Sequence, residues 1–492
     1  MYKLTYCLLL LFSLSLSAGY KIETIETPKG VDAQIGGIDF MPDGRLVMTY
    51  NYGKVFTYNP KTKEWKLFAE GLHMPLGVVA LNNHEIVVMQ RPELTKIIDR
   101  DKDGKADSYR TLYDDFGVSG NYHEFAFGPV RDQEGNFYIS LNVASNNGGI
   151  LPESRGTFKS YDIDQKSLEG KFDKQKVSRM YSCVPYRGWV IKISPDGAGT
   201  PYASGLRSPN GLGFDHKGRL LVTDNQGDWL GSSKLHHIQK GAFHGHPASL
   251  VWKDGWSINP MDVSLDELNK LRTPAAAFFP QGIIANSPTQ PVLDTTKGKF
   301  GPFSKQMFIG EMNFKRLVRF IPDEVNGILQ GTVIPFLDGD SLDNGNNRLV
   351  FAPDGSLWVG KMHLSWAGNK GLKRISWDGK TDFDLLEIKQ SSKGFDLTFT
   401  KEINEVKLED FKVTSYRFDY HSSYGSKRQE ETEQKLKSIE LSEDRKTIRI
   451  ELPPLKKGFV YQFELDKLKD KNGSTLSSSL FCYNLLEVLN KN

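Results

Sequence analysis

The stretch GLRSPNGLGFDHKGRLLVTDNQGDW, residues 205–229, reads as one hairpin. Leu212 and Phe214 start an apolar strand, Lys217-Gly218 makes a turn, and Leu220, Leu221 and Val222 return, the pattern of two antiparallel strands. Hydrogen-bonding side chains crowd both ends, with Arg207 and Asn210 on one side and Asp224, Asn225, Gln226 and Asp228 on the other. A hairpin brings its ends together, so both polar groups are expected to face one place.

The same phrase recurs along the chain. GGIDFMPDGRLVMTYNYGKVFTYN begins at Gly36, LGVVALNNHEIVVMQR at Leu76, HEFAFGPVRDQEGNFYISLN at His123 and NRLVFAPDGSLWVGKMHLSW at Asn347. A sixth unit, GPFSKQMFIGEMNFKRLVRFIPDE from Gly301, keeps the strand pair without the turn signature in front. Six such units over residues 20–390 predict an all-β fold, a six-bladed β-propeller whose radial repetition protects the sheet edges. A single large β-sandwich would explain the alternation but not the repeated phrase.

Polar insertions interrupt the pattern at 145–187 and 254–291. The second contains SLDELNKL, in which Ser264 and Glu267 have capping-box spacing and predict a short helix. From Gly394 the blade phrase gives way to plain alternation, which predicts a small C-terminal β-sandwich over 391–492. The charged run KRQEETEQKLKS within it reads as a solvated loop or short surface helix.

The chain has 492 residues, enough for a large core and a second domain. Its 63 basic and 60 acidic residues leave no electrostatic footprint for nucleic acid or anionic membrane, so small or uncharged partners are expected. The opening MYKLTYCLLLLFSLSLSAGY has one lysine, an apolar run and small residues at Ser17, Ala18 and Gly19, the plan of a secretory signal over 1–19. A membrane anchor is the alternative, but the run falls short of the about 20 residues that span a bilayer. No other segment approaches that length, so the expectation is an exported protein, secreted or periplasmic, with no membrane span in the mature chain. Only Cys183 and Cys482 remain after residue 19, too few for a disulfide framework.

DRDKDGKAD, from Asp99, sets Asp99, Asp101, Asp103 and Asp107 at positions one, three, five and nine of a calcium loop, with Gly104 at the bend. Position twelve is Arg110, so the usual bidentate glutamate is missing; an ordinary acidic turn is the other reading. His123 heads a repeat unit, and Arg207 with Asn210, Lys315 with Arg316, and Asn347 with Arg348 stand at comparable edges. Each cation alone reads as a surface ion pair. Together, a ring of cations with one histidine suits an anionic cofactor or an oxyanion beside a general base. LHHIQKGAFHGHP carries His236, His237, His244 and His246, but without a second cluster at metal-ligand spacing a Gly-His-Pro turn is the simpler reading.

The phrases YHEFAFGPV, GLRSPNGLGFD, GRLLVTDNQGDW, GAFHGHPASLVW, FIGEMNFKRLVRF and NRLVFAPDGSLWVG resemble the soluble quinoprotein glucose and sorbosone dehydrogenases, six-bladed propellers that oxidise sugars with pyrroloquinoline quinone (PQQ). Over nearly the whole mature chain the likeness is to secreted bacterial sorbosone-dehydrogenase-like and membrane-bound-dehydrogenase-like proteins. The resemblance implies that His123 takes the proton of the sugar hydroxyl while hydride passes to the quinone. It implies that Arg207, Asn210, Asn225, Gln226, Lys315 and Arg348 hold the cofactor, and that calcium, held at Asp224 and Asp228, polarises its carbonyl. Two positions depart from the family pattern: His244-Gly245-His246-Pro247 replaces Tyr-Gly-Trp-Pro, and Asn347-Arg348 replaces paired arginines. No Cys-x-x-Cys-His is present, so electrons are expected to leave to a separate acceptor such as a cytochrome c or a quinone. Two other readings stay open: a calcium-dependent lactonase or other hydrolase on a six-bladed propeller, and a noncatalytic glycan-binding propeller.

Overall fold

The computed structural model describes residues 16–17, 19–148, 154–159, 179–364 and 367–489. The leader expected at 1–19 and the middle of the 145–187 insertion lie almost wholly outside these residues.

The opening hairpin forms as read. Strand Pro209–Phe214 pairs antiparallel with Leu220–Asp224, and the turn between them is locked by Asp215 Oδ1, which accepts the N–H groups of Lys217 and Arg219, both at 2.9 Å. Gly218 supplies the positive φ that such a turn needs. Two further strands, Ser233–His237 and Ala277–Phe279, complete a four-stranded sheet.

Among the described residues, six runs of four antiparallel strands follow this plan, and they begin with strands Ile35–Phe40, Gly77–Ala80, Ala126–Arg131, Pro209–Phe214, Pro288–Leu293 and Asn346–Phe351. These first strands pack side by side in that order, and Asn346–Phe351 packs in turn on Ile35–Phe40. The approach is close because glycines face it: a Cβ on Gly77 would lie 1.6 Å from the carbonyl oxygen of Gly128, and one on Gly211 2.3 Å from Cα of Gln290. Apolar side chains fill the spaces between neighbouring sheets, as Met89, Leu94, Ile139 and Ile191 do between the second and third. The last run borrows its outer strand from the start of the chain, where Tyr20–Ile25 pairs with Ala367–Trp377. The result is an all-β, propeller-like architecture.

The fifth run corrects one expectation. Its first strand, Pro288–Leu293, lies partly in the segment read as an insertion ending at 291. Two prolines disguise it. They are tolerated because an inner strand is hydrogen-bonded on one side only. The short helix Leu265–Leu271 is present, with Ser264 and Glu267 forming the capping box.

The C-terminal part packs two sheets. One has the order Leu385–Gln390, Gly394–Phe399, Thr447–Glu451, Ser438–Leu441. Strand Leu385–Gln390 thus pairs with Gly394–Phe399 of the C-terminal part. The other sheet runs without a break out of the fifth run, since Ile328–Phe336 pairs with Leu480–Leu485, which pairs with Phe459–Glu464. Phe395, Tyr461, Phe463 and Tyr483 interlock between them. The charged run KRQEETEQKLKS contributes the exposed edge strand Arg428–Glu433 rather than a loop or helix; its charges suit an edge that must not pair further. Cys183 and Cys482 are both buried.

Candidate functional site

The loop before strand Ala126–Arg131 carries His123, and buried polar groups fix its course. Asn121 Oδ1 accepts the N–H of His123 at 3.0 Å and that of Ser145 at 3.1 Å. The fully buried Arg187 donates to the carbonyls of Gly117, Glu124 and Phe125. The imidazole is therefore held from both sides of its own backbone.

The ring itself is oriented by two contacts. Nδ1 lies 2.7 Å from the carbonyl oxygen of Val143, which cannot donate, so Nδ1 carries the proton. Nε2 is then left as the acceptor, 3.0 Å from Oγ of Ser208. Burial, and after it the charge of Arg207, push this histidine down to about 4, so it is neutral and its free lone pair is at Nε2.

Ser208 is placed by the opening hairpin. Asp224, at the end of the second strand, accepts the N–H of Ser208 at Oδ1 (2.7 Å) and that of Arg207 at Oδ2 (2.9 Å). The side chain of Arg207 turns to Asp228, with Nε 2.9 Å from Oδ1, while Oδ2 of Asp228 faces Nε2 of His246 at 3.3 Å. Burial opposes ionisation of Asp228, but His246 and Arg207 overcome it and hold the carboxyl well below the usual range. On its far side Arg207 meets the sulfur of Met180 at 3.7 Å and the ring of Tyr424 at 5.6 Å.

Tyr424 comes from the C-terminal part. The loop 419–426 docks on 227–231: Trp229 N–H donates to the His421 carbonyl, Gly425 N–H to that of Gly227, and Ser426 N–H to that of Gly231. Tyr420 anchors the loop by donating to the carbonyl of Gly245 at 2.6 Å. Tyr424 and Tyr122, next to His123, remain half exposed, so two aromatic rings border the buried polar group.

The structure thus brings together His123, Arg207, Asp224 and Asp228 and divides the remaining expected residues. Asn225 stands close by, its Nδ2 3.0 Å from Ser287 Oγ and its Oδ1 buried without a partner. Gln226 anchors backbone, its N–H donating to Ser233 Oγ, and its side chain lies against Gly425. Arg348 belongs to the packed axis: its guanidinium donates to the carbonyls of Gly36, Leu76 and Asn347 and to Oδ1 of Asn210. The cavity these two residues share is about 20 Å³, room for about one water. Lys315 is exposed and paired with Asp340 at 2.6 Å. Asp224 and Asp228, expected as metal ligands, have both carboxylate oxygens engaged by protein donors. Asp99, Asp101, Asp103 and Asp107 lie elsewhere, on the outer hairpin of the second run. A groove of about 860 Å³ runs along Tyr20, Phe336, Asp382 and Ser477, and His123 does not line it.

Residues the sequence did not single out complete the group. Ser208 stood inside the quoted stretch with no spacing signal of its own. His246 was read as part of a turn, and Tyr424 lies more than two hundred positions away in a segment with no motif.

A family model matches residues 60–238, and it is described as a domain of unknown function, DUF7133. No curated protein matches the sequence. Among solved structures, the holo form of the pyranose dehydrogenase PQQ domain from Coprinopsis cinerea is 13% identical, covering 74% of this chain and 97% of that one, with a TM-score of 0.50. The PQQ-bound aldose sugar dehydrogenase from Streptomyces coelicolor is 16% identical, covering 74% and 99%, with a TM-score of 0.45. A carbohydrate-active enzyme of family AA12 from Trichoderma reesei is 13% identical, covering 76% and 100%, with a TM-score of 0.48. The first of these shares the fold; at such identities the likeness extends no further.

Proposed function

We propose that the chain is a six-bladed propeller enzyme of the quinoprotein type, oxidising a hydroxyl of a sugar or a sugar-derived alcohol or aldehyde hydrate, with His123 as proton acceptor. The observation that carries this is the tautomer of His123: Val143 fixes the proton at Nδ1 and turns a neutral, basic Nε2 towards a hydroxyl group. A substrate hydroxyl replacing that of Ser208 would meet the same lone pair. Tyr122 and Tyr424 offer ring faces for the apolar face of a sugar, and Arg207 beside them offers donors for its oxygens.

The implied cofactor is PQQ. The residues fit it in part: among the described residues Asn225 Oδ1 is a buried acceptor without a partner and Arg207 Nη2 meets only a sulfur and a ring, so both can bind a polar ligand. Arg348, with its donors taken by carbonyls, and Lys315, exposed and paired, do not. When bound, a quinone supplies the acceptor for the substrate's hydride. The chain's own part is to hold the substrate oxygen at His123 Nε2, to take up its proton there, and to stabilise the imidazolium through Asp228. With the leader expected at 1–19 the enzyme would be exported, and a separate acceptor would reoxidise it; among the described residues no helix is long and apolar enough to cross a membrane.

A second reading rests on the same contact. Ser208 Oγ on His123 Nε2, with Val143 orienting the ring, is also the pairing of a nucleophilic hydroxyl with its base. The calcium-dependent form of a hydrolase is less well supported, because among the described residues the only convergent carboxylates are Asp99, Asp101 and Asp107.

Reconstituting the purified chain with PQQ and following dye reduction across a panel of sugars tests the proposal. Turnover that survives Ser208→Ala supports oxidation. Lactone or ester hydrolysis that Ser208→Ala abolishes supports the second reading instead, and inertness in both assays leaves the glycan-binding alternative.

A further inference from the structure

The second run ends in a hairpin whose strands, Glu93–Ile98 and Ser108–Tyr113, are joined by the loop that starts at Asp99. Asp99 is 2% exposed, and its two oxygens have different fates. Oδ2 accepts the N–H of Gly104 at 3.1 Å and lies 3.1 Å from Nδ1 of His84; Oδ1 is buried with no hydrogen-bond partner among the described residues. An acceptor in that state loses its hydration and regains nothing. Natural structures rarely leave such an atom unused.

The atoms around it say what would use it. One carboxylate oxygen from each of Asp99, Asp101 and Asp107 lies within 4.8 Å of the others. Asp103 is outside that group, its Oδ1 accepting the N–H of Lys105 at 2.7 Å, where it orders the bend at Gly104 (φ +92°). Among the described residues the one lysine or arginine within 4 Å of these carboxylates is Arg100, whose Nε is 3.7 Å from Asp107 on the exposed side, too far for a hydrogen bond. Three carboxylates this close repel one another, and one of them, Asp99, also carries a buried oxygen without a partner among the described residues; a hard cation that prefers oxygen would remove both costs.

We propose that the 99–107 loop binds one calcium ion through Asp99, Asp101 and Asp107. Calcium fits better than magnesium, because a short loop with ligands at uneven spacing gives an irregular oxygen set, and magnesium demands a near-ideal octahedron. The ion clamps the hairpin to its neighbour, since within the same loop Ala106 N–H donates to the carbonyl of Phe68 in the first run at 2.7 Å. This site is independent of His123 and of the oxidation proposed there.

The test is calorimetric titration of calcium chloride into the full chain stripped with EDTA, with magnesium chloride as comparison and thermal unfolding as a second readout. One calcium per chain is expected, with Kd in the range of about 10 μM to 1 mM. Calcium should raise Tm in a concentration-dependent way. Asp101→Asn, at an exposed side chain, should weaken binding at least about tenfold and remove the Tm response while leaving Tm in EDTA unchanged. Asp196→Asn, in the turn of another hairpin, should alter neither. Absence of binding up to about 10 mM, equal affinity for magnesium, or affinity unchanged by both Asp101→Asn and Asp107→Asn would overturn the assignment.

Discussion

Nε of Arg207 donates to Oδ1 of Asp228 at 2.9 Å, with both side chains more than nine-tenths buried. The pair sits between the base, His123, and the docked loop 419–426, so it couples the site to the C-terminal part of the chain.

Removing one member of a buried pair strands the other charge. Asp228→Ala is expected to destabilise the protein by about 3–5 kcal/mol in urea unfolding, and the double change Arg207→Met with Asp228→Leu to recover much of that. A loss below about 1 kcal/mol would mean that water reaches the pair.

Space beside Arg207 is equally constrained. A Cβ on Gly227 would lie 1.9 Å from Nε of Arg207, so Gly227→Ala must push the guanidinium off Asp228. Turnover should fall by at least about tenfold although His123 is untouched, because displacement of a positioned group by about an ångström is enough to slow a reaction. Steady-state kinetics beside the wild type decides it, and unchanged kcat/KM would show that Arg207 has no part in the reaction.

Arg348 is expected to act on stability and not on ligand binding. Its fork serves the carbonyl of Gly36 in strand Ile35–Phe40 and that of Leu76 just before strand Gly77–Ala80, together with Asn210, a geometry that lysine does not reproduce. Arg348→Lys should lower stability by about 1–3 kcal/mol in urea and leave KM within about twofold. A large rise in KM with stability intact would return Arg348 to the cofactor site.

Buried neutral histidines set the acid limit. Burial, with help from Arg207, lowers His123 from 6.5 to about 4, and burial, with help from His237, lowers His244 to about 3. Between these values and 6.5 the unfolded chain binds the protons and the folded chain does not, so stability is full above about pH 6.5 and falls as pH drops towards 4. His123 and His244 together contribute a slope approaching two protons to that loss in urea unfolding, which His244→Asn should reduce by about one; His236, held well below 6.5 by burial, adds to it, and Asp39, pushed up to about 6 by burial, opposes it. A slope between about pH 7 and about pH 4.5 left unchanged by His244→Asn would contradict the burial of that ring.

Much of this arrangement can be read in the sequence, for local reasons. The strand–turn–strand phrase marks the hairpins because alternation and a glycine turn are properties of neighbouring residues, and Arg207, Asp224 and Asp228 converge because one hairpin joins them. What escaped notice depends on distant parts of the chain. Strand Pro288–Leu293 hid behind its prolines, Tyr20–Ile25 pairs more than three hundred residues away, and Tyr424 reaches the site only through the docking of 419–426. The expected cations do not gather in one place: equivalent edges of repeated hairpins need not point alike, and Arg348 packs against the carbonyls of Gly36 and Leu76 while Lys315 is exposed beside Asp340.

The central claim, that His123 Nε2 takes the substrate's proton, is tested most directly by His123→Gln. The variant should bind PQQ with unchanged absorbance, since Arg207 and Asn225 remain, while sugar-dependent dye reduction falls by about 10²–10⁴-fold. Dye reduction retained within about threefold of the wild type would contradict it.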